Sequence, residues 1–215
     1  MVTVAQTETF NPTFLRELPL ARAAFAFARE QHRCQRRESD EAPFILHPLE
    51  VASLLRNTGH GENIVAAGIL HDTVEDTDVR VEEIRERFGP GVAELVLAVT
   101  EDPGIEPFEA RKAALREKIA NGGSDAAAVY AADKVAKVRE LRAQITRDPA
   151  VPQATSSRRR LEHYLESLTM LEHVAGGHPL VRQLRFELEA LHALPPGVSE
   201  GSGAAMPAPP PEPGR

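Results

Sequence analysis

The chain has one cysteine, Cys34, no tryptophan and only 5% aromatic residues in a length of 215. A single thiol excludes an internal disulfide framework and fits a reducing compartment. Arg33, Arg36 and Arg37 are close enough in sequence to lower its pKa, but no further feature marks Cys34 as a nucleophile. Apolar runs of membrane-spanning length are missing, and Met1-Val2-Thr3-Val4-Ala5-Gln6 lacks the basic-then-apolar plan of a secretory leader. The expectation is a cytoplasmic protein without a membrane partner. Positive charge is in deficit as well. A formal net charge of −7 argues against a nucleic-acid partner, so a phosphorylated ligand would need a local basic patch. There is no period-two alternation long enough for a convincing strand, and no internal repeat.

What is present is helical spacing almost throughout, which predicts an all-α fold. With 42% hydrophobic residues the chain can bury one sizeable core. The predicted helices run from Pro19 to about Arg33, from His47-Pro48 to near Gly59, through Ile64 to the acidic run after Leu70, and over Val81–Phe88 and Val92–Thr100. Four more follow, over Phe108–Ala120, Asp125–Ile145, Arg158–Val174 and Pro179–Leu194. Gly89-Pro90-Gly91 and Glu101–Pro107 read as breaks, and Arg111, Lys112, Arg116 and Lys118 as solvated charges. Val129, Ala132 and Ala136 give the helix after Asp125 an inward stripe. Residues 1–195 read as one domain and residues 196–215, rich in Pro, Gly, Ala and Ser, as a disordered tail.

The stretch Ile69-Leu70-His71-Asp72-Thr73-Val74-Glu75-Asp76-Thr77 places four ionisable side chains directly after an apolar segment. If it is one helix, His71 and Glu75 are one turn apart, as are Asp72 and Asp76, and all four project from one side near the carboxyl end. Negative charge there opposes the macrodipole, and Asp72 with Asp76 is a like-charge pair. A bound cation resolves both conflicts; the alternative is solvated acids at a frayed helix end. Two further residues suit such a site. His47 lies between Ile45-Leu46 and Pro48, where packing or capping is the other reading, and Asp133 interrupts the run Val129–Ala132, with an ion pair to Lys137 as its other reading. One His, a His-Asp pair and a distant Asp form a nitrogen and oxygen set suited to manganese, iron or zinc more than to magnesium alone.

The order His47, His71-Asp72, Asp133, in the settings Phe44-Ile45-Leu46-His47-Pro48-Leu49-Glu50-Val51-Ala52 and Ala67-Gly68-Ile69-Leu70-His71-Asp72-Thr73-Val74-Glu75-Asp76-Thr77, resembles the HD-domain hydrolases of the RelA/SpoT family, above all its small hydrolase-only members. The likeness runs from about Ala21 to Arg142 and includes His32-Arg33, Phe88-Gly89 and Ala132-Asp133-Lys134. It implies an all-helical HD fold with one manganese(II) ion held by His47, His71, Asp72 and Asp133. It also implies removal of pyrophosphate from the 3′ position of ppGpp and pppGpp, with Glu75 and Asp76 as the catalytic acid pair. Arg37 matches a basic position near the substrate; a solvated turn residue is its alternative. The family commonly carries an asparagine where this chain has Lys137, which bears on the nucleotide: an added phosphate, as in NADPH 2′-phosphatases, or a non-catalytic nucleotide sensor are the alternatives. The loop after Arg37 lacks the common Ser-Gly-Glu-Pro and reads Ser39-Asp40-Glu41-Ala42-Pro43. Beyond Arg158, Leu161, Tyr164, Leu165, Leu168 and Leu171 are expected to complete the core, with a homodimer interface as the other use.

Overall fold

The computed structural model describes residues 12–148, 150, 151 and 154–193. The expected tail 196–215 lies outside the described residues. Among those described there is no strand, only one isolated antiparallel bridge between Arg36 and Pro43. After a short 3-10 turn, Thr13–Leu15, come α1 (Pro19–Gln31), α2 (Leu46–Asn57), α3 (Glu62–Leu70), α4 (Thr73–Asp76) and α5 (Val81–Phe88). They are followed by α6 (Pro90–Val99), α7 (Phe108–Asn121), α8 (Gly123–Arg147), α9 (Thr155–Ala175) and α10 (Pro179–His192). Pro19, Pro90 and Pro179 each occupy a first-turn position, where the missing N–H costs nothing. Only Gly89 forms the expected break before α6, at φ 90°; Pro90 and Gly91 belong to the helix.

The fold is organised around α8, which α2, α3, α6, α7, α9 and α10 all touch. Every residue from Ala126 to Ala136 is buried, so the expected inward stripe widens to the whole circumference. Alanines at 126–128, 131, 132 and 136 let neighbouring helices come close, and they carry Asp133 and Lys134 into the interior with them. The C-terminal helix is tied to this axis by Glu187, which is buried and 2.7 Å from both Arg139 and Arg142 of α8. Tyr164 and Leu171 of α9 are buried and Leu161 and Leu168 partly so, whereas Leu165 is 39% exposed and departs from the expected core set.

Helices α2 and α3 meet at Gly68. A Cβ there would collide with Leu55 Cδ1 and lie 3.3 Å from Val51 Cγ1, and both of those side chains are fully buried. This close approach brings the start of α2 beside the end of α3. Gly68→Val should therefore overpack the contact and cost about 1–3 kcal/mol, read as a lower urea midpoint at unchanged m-value. A wild-type midpoint would show that the two helices have slack.

The single helix expected through Asp76 is in fact two. α3 stops at Leu70, and His71 and Asp72 stay right-handed, but ψ of Asp72 rises to −7° before α4 begins. The bond from Asp76 N–H to Asp72 O at 2.9 Å closes the α4 turn, while the His71 ring donates from Nδ1 to Gly68 O at 2.8 Å. Successive residues of an unbroken helix point about 100° apart. The break lets His71 and Asp72, adjacent in sequence, converge to 3.0 Å.

Candidate metal centre

Three elements deliver the polar groups: the first turn of α2 brings His47, the α3–α4 junction His71 and Asp72, and the middle of α8 Asp133. All four are buried. One ligating atom from each of His47, His71 and Asp133 lies within 4.8 Å of the others. His47 Nε2 is 3.1 Å from Asp133 Oδ1 and 3.4 Å from Asp72 Oδ2; His71 Nε2 is 3.0 Å from Asp72 Oδ2 and 3.5 Å from Asp133 Oδ1.

This arrangement fits a divalent ion on several grounds. Ligands about 2.0–2.2 Å from one ion stand roughly 3.0–3.6 Å from each other, the spacing found here. His71 Nε2 and Asp72 Oδ2 are buried without a hydrogen-bond partner, although a lone buried carboxylate oxygen is expensive. Because His71 donates from Nδ1 to Gly68, its neutral ring presents a lone pair from Nε2 to the cluster. The charges also call for a cation. Burial alone would depress the His71 pKa, yet the carboxylates of Asp72 and Asp133 hold it up at about 10. Burial would raise Asp72 and Asp133, and the surrounding His and Lys charges instead hold both well below the usual carboxylate range. An incoming ion would displace the His71 proton, so its affinity should rise with pH.

Support behind the cluster comes from residues that the sequence did not single out. Glu140 lies seven residues after Asp133 on the same face of α8, and its Oε1 is 3.4 Å from His47 Nδ1. Arg37 Nη1 is 3.4 Å from the same oxygen, and Arg37 also pairs with Asp40. Thus Arg37, expected at the substrate, is placed to hold Glu140, which orients His47; its neighbour Arg36 lines the adjoining cavity. Carboxylates behind a ligating imidazole fix its tautomer and raise its basicity. Glu140→Ala should weaken metal binding about 10–100-fold in a titration of stripped protein, and an unchanged affinity would remove Glu140 from the site. On the other side, Gln35 Nε2 donates to Asp76 O at 2.7 Å, which turns its Oε1 to His32 Nδ1, also at 2.7 Å. His32 is buried, and its Nε2 has no partner.

One small cavity opens on this centre, and a larger one adjoins it through Lys134 and Lys137, which line both. The small one, about 20 Å³, is lined by His71, Asp72 and Asp133 together with Glu75 and Glu101. The large one, about 540 Å³, has Asp76, Phe44, Phe108 and Tyr164 among its lining residues. Glu75 and Asp76 therefore face different spaces, contrary to the shared helical face expected of them. Partial desolvation, then Glu101 and Asp72, raise the Glu75 pKa; partial desolvation, then Asp72 and Glu75, raise Asp76 to about 6. Lys137 lines both cavities, with its amine 3.1 Å from Asp133 Oδ1 and 3.9 Å from Asp72 Oδ1. Lys134 donates to Asp133 Oδ2 at 2.7 Å and stands over the Tyr130 ring. The charges expected to be solvated on α7 are engaged too: Arg111 and Lys112 pair with Glu101, Arg116 with Glu166, and Lys118 with the carbonyls of Leu97 and Thr100.

Residues 24–157 match the HD domain family, a span that contains all four clustered side chains. The chain is 34% identical over 168 residues to the guanosine-3′,5′-bis(diphosphate) 3′-pyrophosphohydrolase MESH1 of Homo sapiens, covering 77% of this chain and 88% of that one. The chain belongs to the HD-domain hydrolases of the RelA/SpoT family. Its likeness to long bacterial relatives is local. A probable guanosine-3′,5′-bis(diphosphate) 3′-pyrophosphohydrolase of Synechocystis is 53% identical over 77 residues, 36% of this chain but only 10% of the relative. Among solved structures, a metazoan SpoT orthologue described as hydrolysing ppGpp superposes with a TM-score of 0.65 at 26% identity, over 85% of this HD protein and 96% of that chain.

Proposed function

We propose that this HD domain hydrolyses the 3′-pyrophosphate of ppGpp and pppGpp, releasing pyrophosphate. His47, His71, Asp72 and Asp133 would hold one divalent ion, manganese(II). The observation that carries this reading is a buried two-His, two-Asp cluster beside a 540 Å³ cavity whose lining joins cations, Arg36, Lys112, Lys134 and Arg160, to the aromatic rings of Phe44, Phe108 and Tyr164. Such a lining suits a nucleotide, with phosphate on the cations and the base against apolar surface. Relatives that share most of the chain's length are named for this reaction.

A divalent ion supplies Lewis-acid polarisation of a phosphoryl oxygen and lowers the pKa of water from 15.7 toward roughly 7. The remaining work falls to the chain. Glu75 shares the small cavity with the ligands and is placed to take the proton of the attacking water. Ionised Asp76 orients that water from the substrate side. As the bond from phosphorus to the ribose 3′ oxygen breaks, the proton passes to that oxygen. Lys137, in both cavities, neutralises charge on the phosphate between them.

Both acids must be ionised in this scheme. Since the Glu75 pKa is raised and that of Asp76 lies at about 6 without a cation, kcat/KM should rise with pH as the two acids ionise and then level, with a bound cation moving the limb to lower pH. A rate that falls with rising pH through the Asp76 limb would instead make Asp76 a proton donor. The function itself is tested by stripping the protein of metal, restoring manganese(II), and offering ppGpp and NADPH separately. Metal-dependent pyrophosphate release from ppGpp is the expected result. Phosphate from NADPH alone would transfer the assignment to a 2′-phosphatase, and the lysine at 137 would be the first residue to examine.

A further inference from the structure

One polar residue lining the large cavity has no part in the chemistry above. His163 of α9 is 4% exposed, and its Nδ1 lies 2.9 Å from Arg116 Nη1. A guanidinium only donates, so Nδ1 must accept and the neutral ring carries its proton on Nε2. Arg116 is fixed in turn by Glu166 at 2.8 Å. The Nε2 atom is buried and has no partner in the protein, although His163 lines the cavity with Lys112, Lys134 and Tyr164. A buried donor left without a hydrogen bond is costly, so the group calls for an acceptor. The same surroundings exclude charge on the ring: burial first, then Lys134, Lys112 and Arg116, depress its pKa to about 2. His163 is thus a neutral donor, its proton held on Nε2, with Lys134, Lys112 and Arg116 near the ring.

We propose that His163 Nε2–H is a specificity-determining donor that binds an oxygen of the nucleotide's phosphate chain. The inference rests on the nucleotide reading above. Lys134, Lys112 and Arg116, which act on the ring electrostatically, favour a phosphate oxygen over a base carbonyl as the acceptor. A neutral imidazole adds directionality there without adding a further positive charge.

The test compares the wild type with His163→Phe and His163→Gln, all metal-loaded, in steady-state hydrolysis of ppGpp. His163→Phe fills the space without a donor and should raise KM about 10–100-fold while kcat stays within about threefold. His163→Gln offers an N–H at similar reach and should recover most of the loss. A purely structural role would not split KM from kcat in this way. An unchanged KM in the phenylalanine variant overturns the proposal. If the wild type itself leaves ppGpp intact, the nucleotide reading has failed on its own, and titration of the three proteins with inorganic pyrophosphate decides the donor: weaker binding in the phenylalanine variant alone supports it, and equal binding in all three overturns it.

Discussion

Glu75→Gln is expected to bind metal as the wild type does and to lose about 10²–10⁴-fold in kcat on ppGpp. The separation follows from position. Glu75 shares the small cavity with His71, Asp72 and Asp133, yet it is exposed, and its Oε2 accepts from the Glu101 N–H at 3.4 Å. It borders the ligand cluster without belonging to it. Glutamine keeps that hydrogen bond and the side-chain volume but cannot take a proton. Loss of metal together with turnover would make Glu75 a ligand, and retained turnover would shift the proton transfer to Asp76.

Asp72→Asn should fail differently, with metal content falling from about one ion per chain to little and turnover dropping by more than about 10³-fold. Asp72 Oδ2 stands between the two imidazoles, at 3.0 and 3.4 Å, and has no other partner. The substitution preserves shape and removes the negative charge, so it separates coordination from packing. In the metal-free protein it leaves the His71 imidazole with Asp133 as its remaining carboxylate partner, at 3.5 Å. Because shape is preserved and Asp133 still faces both imidazoles, the far-UV spectrum should match the wild type. An Asp72→Asn protein with normal metal content would show that His47, His71 and Asp133 suffice to hold the ion.

Much of this architecture was legible because apolar residues recur with helical period. What escaped notice did so for identifiable reasons. The break between α3 and α4 keeps right-handed backbone angles at His71 and Asp72, so nothing in the residue spacing marks it. The all-round burial of α8 from Ala126 to Ala136 was hidden because alanine is small, and a run of it reads as a narrow stripe. His47, His71, Asp72 and Asp133 stood out as charge inside apolar runs, which is costly without a partner. Glu140 and His163 did not, since each sits among charged neighbours, Arg139-Glu140 and Glu162-His163, that look like an ordinary solvated face. Their roles depend on His47 and Arg116, contacts 93 and 47 residues away that only folding brings close. Lys112 and Arg116 were misread likewise, because α7 alone gives no sign that Glu101 and His163 lie against it.

The central claim is that one ion in the His47, His71, Asp72, Asp133 cluster is required for hydrolysis of the pyrophosphate ester. Its most direct test is to titrate manganese(II) into stripped protein at fixed concentration while recording pyrophosphate release from ppGpp. The rate should rise linearly and saturate at one equivalent of metal per chain. Full turnover in the presence of excess chelator, or saturation only at two equivalents, would contradict it.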